Sequence, residues 1–131
     1  DKEGGALAKM LPPFRMGIGG RFGDGKQWMS WIALDDVIAG LQFVAENQRI
    51  FGPVNFVAPN PVTNAEFTKS LGKALSRPTL FPVPAFGARL AFGEMADALL
   101  LSSQRVEPLC LKNENYSFRF SNLDAALRHI L

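Results

Sequence analysis

The stretch that most limits what this chain can fold into begins at Pro84, a residue suited to the first turn of a helix, and continues "AFGARLAFGEMADALLLSSQRV". Its pattern predicts the longest helix of the chain, with Phe86, Leu90, Phe92, Met95, Leu99, Leu100 and Leu101 apolar around far more than one stripe. A surface helix buries a single stripe, so this one must bury two sides or dock on a partner surface.

The rest of the chain has to supply that cover, and its size sets how much it can. At 131 residues it is about one ordinary domain, and 47% apolar with 20% charged residues is the balance of a soluble globular protein. Basic residues outnumber acidic ones only 14 to 12 and are scattered, with no basic stripe carrying stacking aromatics, so nucleic acid is not the expected partner. No apolar run approaches the roughly 20 residues of a membrane span. The single Cys110 excludes an internal disulfide and fits a reducing compartment, the cytoplasm. In "EPLCLK" it reads as a small hydrophobe and not as a nucleophile. The start, "DKEGGALAKM", lacks the shape of a signal peptide and reads like an interior cut.

Along the chain, "GALAKML" (5–11) predicts a short helix stopped by Pro12 and Pro13, and "FRMGIGGRFGDGKQ" packs five glycines into a loop. "WMSWIAL" alternates like a strand. Asp35 or Asp36 then caps a helix running to about Asn47, with Val37, Leu41 and Val44 inward. "GPVNFVAP" is a second strand candidate. Thr63 and Glu66 match a capping box for a helix ending near Ser76, whose apolar face is Phe67, Leu71, Ala74 and Leu75. "PTLFPVPAF" reads as an extended, proline-punctuated connection. Near the end, "YSFRFS" alternates like a strand, and Ser121 or Asn122 can start a helix with Leu123, Ala126, Leu127 and Ile130 inward.

Few residues carry a chemical signal. Gly17, Gly19 and Gly20 precede a predicted strand and not a helix, which is the wrong context for a dinucleotide-binding turn; a turn, or a loop covering substrate, fits better. Asp35 and Asp36 are adjacent and would point apart, so capping suits them better than paired acid/base work. His129 is the only histidine and lies in a last helical turn, and with no second histidine and no cysteine cluster a zinc site is not expected. Tyr116 has Phe120 four positions on, so it cannot form the tyrosine-lysine pair of a short-chain dehydrogenase. Trp28 and Trp31 read as core aromatics, yet Trp28 beside Gln27 and the glycine loop is also how a pocket wall with a polar handle is built.

The ordered series "GGALAKMLPPF", "GDGKQWMSWIALDD", "GPVNFVAPNPVTNAEF", "RPTLFPVPAF", "GEMADALLLSSQRVEP" and "YSFRFSNLDAAL" resembles the C-terminal part of extended short-chain dehydrogenase/reductase proteins. The branch it is similar to is the sugar-nucleotide-epimerase-like one within the NAD-dependent epimerase/dehydratase family, and the resemblance covers essentially the whole chain. It implies an α/β fold, the substrate-binding C-terminal portion of a Rossmann-type protein. Residues 1–79 would be the substrate-side part, including a late sheet strand, and residues 80–131 a small C-terminal domain.

In that family the glycine-rich cofactor turn and the tyrosine-x-x-x-lysine pair precede the region matched, and neither occurs within residues 1–131. The resemblance therefore implies no catalytic or cofactor-binding residue in this chain, with NAD or NADP held by an N-terminal dinucleotide-binding half. It places Gln27, Met29 and Trp31 against a small substrate, a carbonyl or alcohol, sugar derivatives included, and allows a homo-oligomer. Where sugar-nucleotide epimerases usually carry a pyrophosphate-binding arginine, Met29 stands here, and their common histidine is Ala33; a methionine cannot hold a diphosphate by charge-assisted hydrogen bonds. A non-catalytic protein-interaction or ligand-binding module is the alternative.

Overall fold

The structure is a computed structural model that describes residues 5–94, 96–101, 103 and 105–131. The first helix, α1, spans Gly5–Arg15 and passes through Pro12 and Pro13. The expected stop does not occur: a proline's fixed φ is itself helical, and the helix tolerates the lost hydrogen bonds and the ring's crowding of the preceding turn. Met10, Leu11 and Phe14 are all buried. Ending the helix at Leu11 would forfeit the burial of Phe14, worth about 1.5–3 kcal/mol.

Regular β-structure is smaller than the alternation predicts. β1 is only Trp28–Met29, paired antiparallel with β2, Val62–Thr63, in the register Trp28 to Thr63 and Met29 to Val62. "GPVNFVAP" forms no strand: the Ala58 amide donates to the Trp31 carbonyl at 2.7 Å, and Phe51 is 90% exposed. A strand needs a ladder for its backbone groups, and Val54–Val57 take part in none among the described residues. "YSFRFS" is likewise not a strand, since its amides at Arg119 and Phe120 go to a side chain.

Helices carry the packing. α2 is Leu34–Glu46, α3 Asn64–Leu75, α4 Ala85–Phe92, α5 Leu109–Asn113 and α6 Leu123–Ile130. Thr63 caps α3 as predicted, its hydroxyl accepting from the Glu66 amide at 3.2 Å, and α3 ends at Ser76 in the left-handed conformation. Asn122 caps α6 by accepting from the amides of Asp124 and Ala125. These two helices pack on each other, and α1 packs on α3, around Met10, Phe14, Phe67, Leu71, Leu123 and Leu127.

The long helix from Pro84 is two pieces. α4 ends at Gly93, whose φ of 63° and ψ of −138° suit a residue without Cβ, and a π-helical segment, Ala96–Leu101, follows. Ala88 and Ala96 are buried, and Phe92 meets Phe22 edge-on at 5.6 Å, while Phe86 and Leu90 face outward at 68% and 85% exposure. Met95, Ser102 and Gln104 lie outside the described residues, as do residues 1–4. Among the described residues no helix is long and apolar enough to cross a membrane.

Candidate functional site

The glycine loop is fastened to the rest of the chain. A Cβ on Gly20 would sit 1.9 Å from the Phe81 carbonyl oxygen, so only glycine permits this approach. There the loop and the proline-rich connection exchange backbone hydrogen bonds, Val83 N–H to the Arg21 carbonyl at 2.7 Å and Gly23 N–H to the Val83 carbonyl at 2.8 Å. Asn64, fully buried at the start of α3, accepts from the Phe22 amide at 2.7 Å and donates to Met29 Sδ at 3.5 Å. The Asn64 amide in turn donates to the Gln27 carbonyl at 2.8 Å.

That framework places the three residues read as substrate contacts. Gln27 is half-buried and its side-chain amide donates to the Phe22 carbonyl at 3.0 Å. Met29 and Trp31 are half-buried and lie against the hydrophobic core, and Trp31 Nε1 donates to the Asn60 carbonyl at 2.8 Å. Alternation along the strand sends Trp28 and Ser30 the other way. The Trp28 amide donates to Ser103 Oγ at 3.0 Å, Ser30 Oγ accepts from the Val106 amide at 2.9 Å, and the Arg105 guanidinium lies 4.5 Å over the Trp28 ring. Sequence reading missed Arg105, because nothing local marks a residue that meets its partner 77 positions away; the two tryptophans were the only signal pointing to this spot.

The two aspartates have separate roles, neither of them a side-chain cap. The α2 cap position is Ala33, which has no capping side chain. Asp36 is fully buried and accepts from Tyr116 Oη at 2.9 Å, the Arg119 amide at 2.8 Å and the Phe120 amide at 3.0 Å. Burial, and then the bond to Asp36, push the Tyr116 phenol up to about 12. Asp35 meets His129 Nε2 at 2.8 Å, and the imidazole stacks on Phe120 at 4.7 Å. The inward face of α2 is thus Asp36 and Gly40, whereas Leu41, expected inside, is 54% exposed with Leu34 and Ile38 beside it on the outer side.

A cleft of about 620 Å³ opens between α3 and α6, lined by Ser70, Lys73, Asn122, Asp124 and Arg128 among others; Gln27, Met29 and Trp31 do not line it. Among the described residues no cluster of three or more histidines, cysteines and carboxylates could hold a metal ion.

Comparison with known proteins relates this geometry to a larger one. Residues 83–130 match a family described as a domain of unknown function, DUF1731. An epimerase family protein of Mycobacterium bovis is 45% identical over 95% of this chain and 41% of its own length. The mouse epimerase family protein SDR39U1 is 42% identical over 99% of this chain and 44% of its length. The crystal structure of the human epimerase family protein SDR39U1 with NADPH matches 97% of this chain and 43% of that one, at a TM-score of 0.89 and 38% identity. The chain therefore spans less than half the length of these relatives. The expected fold class, the C-terminal portion of a Rossmann-type α/β protein, holds.

Proposed function

We propose that this chain, which is similar to the C-terminal part of epimerase family proteins and matches the DUF1731 family over residues 83–130, is the substrate-binding portion of an NAD(P)-dependent epimerase- or dehydratase-like protein. It does not catalyse alone. The observation that carries this reading is the close match to a human protein solved with NADPH, more than half of which lies outside the matched region. The catalytic acid/base and the cofactor site belong to that remaining part, and the substrate is a small carbonyl or alcohol, sugar derivatives included. The protein works in the cytoplasm.

Within this chain, Gln27, Met29 and Trp31 form the substrate-side wall. Their half-burial supports the assignment, as does the scaffolding of Gln27 and Trp31 through backbone carbonyls and of Met29 through Asn64. Fixed side chains position a substrate without reorganising. Residues 1–79 make up this substrate-side part and residues 80–131 the small C-terminal domain, a division supported by the reach of the DUF1731 match.

The test is NADPH oxidation by the full-length protein against a panel of aldehydes and ketones. Turnover with any of them, with KM raised at least several-fold in Trp31→Leu and Gln27→Ala, is the expected result. A full-length protein that binds no dinucleotide would favour the rival reading, a protein-interaction module, which the exposed Phe51, Phe86 and Leu90 otherwise support.

A further inference from the structure

We propose that the cleft between α3 and α6 is a second ligand site, one that takes a phosphate monoester of a small polyhydroxylated compound such as a sugar. Gln27, Met29 and Trp31 line neither the cleft of about 620 Å³ nor the adjoining space of about 320 Å³ that shares Ser70, Asn122 and Asp124 with it, so the proposal does not rest on the substrate reading. The cleft follows from how the two helices pack. α3 turns Phe67 and Leu71 to the core, and α6 turns Leu123, Ala126 and Leu127 there. The positions beside those, Ser70, Lys73 and Ala74 on one helix and Asp124, Ala125 and Arg128 on the other, share a face at spacings of three and four residues and line the cleft. The two alanines leave room between the longer side chains. Both helices are capped by side chains, so the space is formed before a ligand arrives.

The charges here differ from those of a helix surface that only meets water. Asp124 and Arg128 stand four residues apart, in the order that favours an ion pair. Yet among the described residues neither they nor Lys73 form one, unlike Arg49 with Glu114 or Arg89 with Asp97. Lys69, which lines the adjoining space, is one turn before Lys73, a like-charge spacing that costs a helix stability. Lys73 and Arg128 occupy the last turns of their helices, Glu66 and Asp124 the first turns. That order suits the helix dipoles, and it also gives one groove a cationic end and a carboxylate end. A phosphate dianion matches the two cations at the first, while hydroxyl groups on the rest of the ligand donate to the carboxylates at the second. A second acidic group placed there would be repelled, which disfavours a ligand charged at both ends.

Calorimetric titration of the full-length protein with glucose 6-phosphate and with glycerol 3-phosphate, against glucose and inorganic phosphate, tests the assignment. At least one ester is expected to bind saturably and at least tenfold more tightly than either control, with affinity reduced tenfold or more in Lys73→Gln and in Arg128→Gln. Both side chains are exposed, so neither substitution threatens folding. Asp124→Asn should narrow the gap between ester and inorganic phosphate, because the carboxylate both accepts from hydroxyls and repels a bare anion. No saturable binding of either ester, undiminished affinity in both cation variants, or inorganic phosphate binding as tightly as the esters overturns the proposal. Saturating NADPH should leave ester binding unchanged, and competition between the two would place the ester elsewhere and overturn it as well. Ester binding through Lys73 and Arg128 by a protein that takes no NADPH would sink the oxidoreductase reading alone.

Discussion

The carboxylate of Asp36 has no contact with solvent and receives hydrogen bonds from one phenol and two backbone amides. It holds the segment Tyr116–Phe120 against α2 in place of a β-ladder. Asp36→Ala leaves both part-buried amides without their partner and the phenol with only the residue-36 carbonyl at 3.3 Å, and unsatisfied buried groups cost about 1–3 kcal/mol each. Urea denaturation should show a loss of about 3 kcal/mol or more, with Asp36→Asn less severe. Tyr116 adds a pH dependence whose sign is fixed. Its folded value, about 12, is above the ordinary 10.0, so its contribution is fully present below pH 10 and is lost as pH rises from there through about 12. A phenolate absorbance titration should find Tyr116 ionising near the top of that window, with Asp36→Ala moving it down. The sequence showed Asp36 at a helix start and suggested a cap; its real partners, 80 to 84 residues away, leave no mark in local spacing.

At the scale of elements, the readable features were those whose physics is local. The Thr63 cap, the α3 face of Phe67 and Leu71, and the Asn122 start of α6 all depend on residues within one turn, and all are present. Thr63→Ala should cost about 1 kcal/mol in thermal or chemical unfolding. Strands were over-read for the same reason, since alternation in "GPVNFVAP" and "YSFRFS" reports a two-faced environment but not whether a neighbouring strand exists. The proline pair in α1 and the break at Gly93 show tertiary contacts and a special φ overriding a pattern that pointed elsewhere. Gly20→Ala tests the closest approach between elements: a Cβ against the Phe81 carbonyl should displace the Phe22–Val83 pairing and lower stability by about 1–3 kcal/mol.

For the whole molecule, the apolar surface is the informative quantity. Leu34, Ile38 and Leu41 line the outer side of α2, Phe86 and Leu90 the outer side of α4, and Phe51 stands almost fully exposed. Exposed apolar faces of this kind mark surfaces built to be covered. The excess hydrophobicity after Pro84 pointed to this from sequence, although it could not show that α4 would end at Gly93 with Phe86 and Leu90 outward. The isolated chain is therefore expected to self-associate, and sedimentation velocity giving a single monomeric species would count against that. The proposed substrate-side residues Gln27, Met29 and Trp31 come from one short stretch, whereas the contact of Arg105 with Trp28 forms through folding alone.

On the function proposed, this chain supplies a substrate side and takes its cofactor chemistry from the rest of a longer protein. NADPH fluorescence, followed on titration into the chain alone and into the full-length protein, tests it most directly. Saturable enhancement with the full-length protein and none with the chain alone is the predicted result. Equal binding by the isolated chain, or none by the full-length protein, would contradict it.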